Sequence, residues 1–66
     1  MEIQGKQVKR GFKFIHSTFM DVNNQMLRCE VTKVTKAFIY WKRIGSLKAD
    51  FYTKIENFSE DIKTVL

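Results

Sequence analysis

The sequence predicts a mainly β fold, a small antiparallel barrel of four to five strands with a short C-terminal helix, formed as one domain over residues 1–66. Three observations carry that expectation. Cys29 to Arg43, CEVTKVTKAFIYWKR, holds two runs of β-branched and aromatic residues on either side of Thr35-Lys36-Ala37, the pattern of paired strands. Two further runs, around Phe12 to Ser17 and Phe51 to Ile55, alternate in the same way. Finally, the chain has no proline, three glycines and no repeat or linker, so nothing divides its 66 residues into smaller units.

Each element follows from local pattern. After Gly11, Phe12, Phe14 and His16 alternate with Lys13, Ile15 and Ser17, which reads as a half-buried strand. Asp21-Val22-Asn23-Asn24-Gln25 supplies turn chemistry, because Asp and Asn bond their own backbone and tolerate left-handed conformations. From Met26 to Val34, Leu27, Cys29 and Val31 share one face and Arg28, Glu30 and Thr32 the other. Val34 is out of phase, so a bulge near Thr32-Lys33 is expected to return it to the buried side. Over Phe38 to Ile44, Phe38, Tyr40 and Ile44 compete with Ile39 and Trp41 for the core, and one set must stay partly exposed. Ile44-Gly45-Ser46-Leu47 is a turn, and Phe51, Thr53 and Ile55 then alternate with Tyr52 and Lys54 as a fourth strand. Asn57 or Ser59 is the expected N-cap of a final helix whose stripe is Phe58, Ile62, Val65 and Leu66. So short a helix must dock on the barrel, plugging its open end, or on a second subunit.

Composition bounds the function. Apolar residues at 44% and charged ones at 29% are a globular balance. A chain this short buries only about 60% of its unfolded surface, which makes a homo-oligomer through sheet edges or the helix one expectation. The single cysteine forms no internal disulfide, MEIQGKQVKR holds no apolar leader core, and no apolar run is long enough to cross a bilayer. These features predict a soluble cytoplasmic protein without a membrane partner. The net charge of +5 is uneven: residues 1–48 carry a balance of +7 and residues 49–66 one of −2. A positive field of this kind attracts polyanions, nucleic acid foremost, although it also serves solubility.

The run Cys29-x-Val31-Thr32-x-Val34, then Ile39-Tyr40-Trp41-Lys42, a Gly turn, a Phe51 strand and a Phe58-led short helix, resembles the small SH3-like barrel proteins encoded by phages and mobile elements. The resemblance spans roughly residues 8–66. It implies an accessory protein that binds nucleic acid or a host protein, and it brings no set of functional residues with it.

Two candidate surfaces emerge from the residues. Lys6, Lys9, Arg10 and Lys13 cluster about Gly11-Phe12, either as phosphate contacts on DNA or RNA or as a protective, solvated edge. Lys33, Lys36, Lys42, Arg43 and Lys48 flank the second hairpin and extend that field wherever they share its face. Tyr40 and Trp41 face opposite sides of any strand containing both. Tyr40, with Phe38, is then either a stacking platform for bases or, because so small a chain needs most of its nine aromatics for a core, packed beneath the helix. Phe19 and Met20, placed in the first loop, are a patch suited to a protein partner such as a host enzyme. His16, Ser17, Asp21 and Cys29 are the only residues that invite a catalytic reading, and no motif surrounds them. The expectation is binding rather than enzymatic activity, with no cofactor and no metal.

Overall fold

The computed structural model describes residues 1–47 and 51–66, and Lys48 therefore lies outside the described residues. The fold is mainly β and antiparallel, with a short 3₁₀ helix near its end. A hairpin of β1 (Glu2–Ile3) and β2 (Lys6–Gln7) precedes a meander of β3 (Lys13–Met20), β4 (Met26–Val34), β5 (Phe38–Arg43) and β6 (Phe51–Lys54). A 3₁₀ helix over Ile55–Asp61 then carries the chain to β7 (Ile62–Val65), which pairs antiparallel with β3. The five-stranded sheet runs β6-β5-β4-β3-β7, so the helix links its two outermost strands.

Local chemistry accounts for the turns. Gln4 and Gly5 both take positive φ, 51° and 82°, the requirement of a two-residue hairpin loop that matches strand twist. Asp21 does what its sequence context predicts: Oδ1 accepts from the Asn23 and Gln25 amides at 2.8 and 3.0 Å. Between β4 and β5, the Thr35 hydroxyl oxygen accepts from the Phe38 amide at 2.9 Å, which tightens the connection to Lys36 and Ala37.

The core assembles from one face each of β3, β4, β5 and β7, together with the helix and the segment before β3. Phe14, Cys29, Val31, Ile39, Trp41, Phe58 and Ile62 are buried, with Val8 and Phe12 closing one side. Fully burying a side chain of this size contributes about 1.5–3 kcal/mol. The helix acts through one ring, since Phe58 is fully buried and meets Phe14 edge to face at 5.3 Å and 81°. A polar chain crosses beside it. Trp41 Nε1 donates to Thr53 Oγ1 at 3.0 Å, Thr53 Oγ1 donates to Asp61 Oδ2 at 2.6 Å, and Asp61 Oδ1 lies 3.8 Å from His16 Nε2.

Four expectations are corrected. The C-terminal stripe is not an α-helix: Ile62 and Val65 lie in β7, because the open edge of β3 offers ladder hydrogen bonds that a free helix would leave unmade. Neither Asn57 nor Ser59 caps the helix, which begins after Lys54 with no side-chain cap bond. The bulge forms where expected, between Val31 and Lys33, and sets Val34 opposite buried Ile39, yet Val34 remains 43% exposed at the strand end. β3 continues through Met20, so Phe19 and Met20 belong to a strand and not to the first loop.

Candidate nucleic-acid interface

The turn from Lys9 to Phe12 creates the basic site. The Phe12 amide donates to the Lys9 carbonyl at 2.9 Å, and Gly11 sits at φ +94°, where a side chain would be strained. Phe12 is thereby anchored in the core while Lys9 and Arg10 stand in solvent. Lys6, Lys9, Arg10 and Lys13 line one open cavity of about 500 Å³, so the four cations grouped by sequence are also grouped in space. Lys6 Nζ donates to the Leu66 carbonyl at 2.8 Å, which fastens the first hairpin beside β7.

A second cavity, about 220 Å³, is lined by Arg10, Glu30, Thr32 and Lys42 and joins this cradle to the sheet. Register explains the junction: Lys13 lies opposite Glu30 and Glu30 opposite Lys42, so one carboxylate stands between two ammonium groups. The row retains one net positive charge.

Ile39 and Trp41 take the core, at 0 and 2% exposure, and this choice turns Phe38, Tyr40 and Lys42 to the outer face of β5. Phe38 and Tyr40 therefore lie on the face away from buried Phe58, and Phe38 lines a cavity with Ile55 and Glu56 at the start of the helix. The neighbour of both rings is Tyr52 of β6, whose ring centroid is 5.4 Å from Phe38 and 6.0 Å from Tyr40, and which is 65% exposed. Lys33 lies opposite Tyr40, with Nζ 5.7 Å from the ring centroid. At an exposed site that cation–π contact contributes only about 0.5–1 kcal/mol. Lys54 lies opposite Phe38, and Lys36 shares a cavity of about 430 Å³ with Phe38 and Lys54.

Of the residues that sequence reasoning proposed, Lys6, Lys9, Arg10, Lys13 and Lys42 meet around the cradle and junction, and Lys33, Lys36 and Tyr40 gather around the ring cluster. Arg43 does not join them. It lies opposite Cys29 and lines a different cavity with Asp21 and Leu27. Sequence reasoning does not find Tyr52 and Lys54 as site residues. Their alternation with Thr53 is the available signal, but it names no partner until β6 pairs with β5.

Phe19 belongs to a separate apolar area. Phe19 is 42% exposed, stacks on His16 at 4.3 Å and 8°, and faces Phe51 at 6.0 Å, while Phe51 in turn stacks on Trp41 at 4.9 Å. Leu27, Ile44 and Leu47 continue from Phe51 around an open cavity of about 770 Å³. Met20 lies opposite Met26 at the end of β3.

The residues that invite a catalytic reading are dispersed. His16 and Ser17 face opposite sides of β3, and the Ser17 hydroxyl donates to the Glu60 carbonyl at 2.6 Å. His16 Nδ1 accepts from the Thr18 and Phe19 amides at 3.1 and 3.2 Å, which assigns the ring proton to Nε2. Burial lowers the His16 pKa, and the nearby Asp61 carboxylate opposes this. The Cys29 thiol is pushed up to about 11, first by burial and then by the charge of Asp61, with Arg43 acting in the other direction. Among the described residues no group of three His, Cys, Asp or Glu side chains is placed to hold a metal ion, and no helix is long and apolar enough to cross a membrane. Compared with protein-family models, curated proteins and solved structures, the chain matches none of them.

Proposed function

We propose that this chain is a small SH3-like barrel that binds nucleic acid through its cradle and the outer face of β4, β5 and β6. The barrel reading is supported by the strand order, in which the 3₁₀ helix joins the two outermost strands of a five-stranded sheet. The single observation that carries the function is the shared face: Tyr40 and Tyr52 lie among Lys33, Lys42 and Lys54, and the row through Lys42 leads to the four cations around Gly11. Cations neutralise phosphates without reading sequence, and rings accept any base. Action by binding rather than catalysis also accords with a Cys29 thiol held protonated and a His16 Nδ1 already occupied by two amides.

The test is fluorescence anisotropy with labelled DNA and RNA at about 50 and 200 mM salt, where phosphate binding weakens steeply. Micromolar or tighter binding that collapses with salt is expected. Lys9→Glu with Arg10→Glu should weaken binding to every sequence alike and flatten the log–log salt slope by about two, one unit for each phosphate no longer neutralised. Absence of binding at the lower salt, or unchanged affinity in the double variant, refutes the reading. A protein-interaction module is the second reading, favoured by the apolar area of Phe19, Ile44, Leu47 and Phe51. An interface of that kind would respond little to salt.

A further inference from the structure

We propose that the ligand of the outer face is a single strand, with two successive unpaired bases taken by Tyr52 and Tyr40 and the adjoining phosphates led past Lys42 to the cradle. The inference rests on the nucleic-acid reading and adds the class of ligand. A duplex keeps its bases in its own stack, at about 3.4 Å per step, and offers the rings base edges, sugar and phosphate but no free base face along its length. Tyr40 and Tyr52 have centroids 6.0 Å apart and planes inclined by 44°, so two bases lying on them would have to be drawn apart from helical stacking. A flexible single strand can do this and a paired helix cannot.

The rings are also available. Phe38 and Tyr52 meet at 90° and Tyr40 and Tyr52 at 44°, so none of the three is stacked flat on another. Tyr52 is 65% exposed and Phe38 and Tyr40 are half-buried, whereas the buried rings are Phe12, Phe14, Trp41 and Phe58. Lys33 Nζ now stands over Tyr40, and its attraction to the ring is weaker than a base–aromatic stack. A base arriving on Tyr40 would release the Lys33 ammonium to a phosphate, so that stacking and charge neutralisation occur on the same residue pair. Lys42, on the same face of β5 as Tyr40, leads the backbone toward Arg10, with which it shares a cavity. The surface thus has a direction, from rings to cations.

The experiment titrates the full chain into labelled oligo-dT and oligo-rU of about ten nucleotides, within the usual site size of such proteins, and into a loop-free duplex of about ten base pairs. Tyr40→Ala, Tyr52→Ala, their double variant, the ring-preserving double variant of Tyr40→Phe with Tyr52→Phe, and Lys9→Glu with Arg10→Glu are compared. Urea midpoints establish that each variant is folded. The expected result is tighter binding of single strands than duplex, and about a five-fold loss per ring removed on single strands only. The Phe double variant should retain wild-type binding. Equal affinity for single strands and duplex, with the Ala variants unchanged while Lys9→Glu with Arg10→Glu weakens both, overturns the stacking inference and leaves the phosphate reading standing. Failure of the wild-type chain to bind any of the three overturns both. The dT and rU arms distinguish DNA from RNA as the source of the strand.

Discussion

Thr53 is the hinge of the polar chain that ties the 3₁₀ helix to the sheet, and Thr53→Val removes its hydroxyl while conserving shape. In the folded chain that oxygen accepts from Trp41 Nε1 and donates to Asp61 Oδ2. Trp41 is only 2% exposed, so its indole N–H would be left without a partner, at a cost of about 1–3 kcal/mol. The Asp61 side chain is 23% exposed, and water can replace the bond removed there. The net destabilisation is about 2 kcal/mol, the middle of that range. A domain of 66 residues has a total stability of roughly 3–10 kcal/mol, so the variant should fold but with a visibly reduced margin. At a urea m-value of about 1 kcal/mol/M, near the lower end for small proteins, the midpoint should fall by about 2 M. Trp41, the only tryptophan, reports the transition by fluorescence. Thr53→Ser, which keeps the hydroxyl, should remain close to wild type. A Thr53→Val midpoint within about 0.5 M of wild type would show that the chain of bonds does not hold the helix in place.

Two further predictions concern the titratable core. His16 is the only histidine, and its folded pKa lies below 6.5, so below that pH the unfolded chain binds more protons than the folded one. Stability is therefore complete above pH 6.5 and falls as pH drops toward the folded value; His16→Gln should abolish that segment of the midpoint-versus-pH curve, and a flat wild-type curve there would refute the assignment. Cys29 is fully buried with its thiol pKa pushed up to about 11, so a thiol-reactive dye at about pH 8 should label the native protein only as fast as it opens, and immediate stoichiometric labelling would contradict this.

Much of the fold is legible in the chain, and the legible parts are local. Cys29 and Val31 fall inward because a strand alternates its side chains, and Asp21 closes its turn because its carboxylate reaches amides two and four residues on. The basic cluster is equally readable, since Lys6, Lys9, Arg10 and Lys13 are close in sequence and a single glycine turn keeps them close in space. The ring cluster is not. Phe38 and Tyr40 are large enough to fill a core as Ile39 and Trp41 do, and period two permits either pair to be core.

That choice is made by residues distant in sequence. Phe14 and Phe58 lie on the Trp41 side, and Thr53 supplies the acceptor that a buried indole N–H requires. The same distant pairing sets Tyr52 beside Tyr40 and makes a strand of Ile62–Val65 where spacing alone fits a helix. Alternation, turns and the accumulation of charge depend on neighbours along the backbone, and so they can be read from the chain alone. Which face is buried, and which rings meet which cations, emerges only on folding, because burial and register are settled between segments that lie far apart until the sheet brings them together.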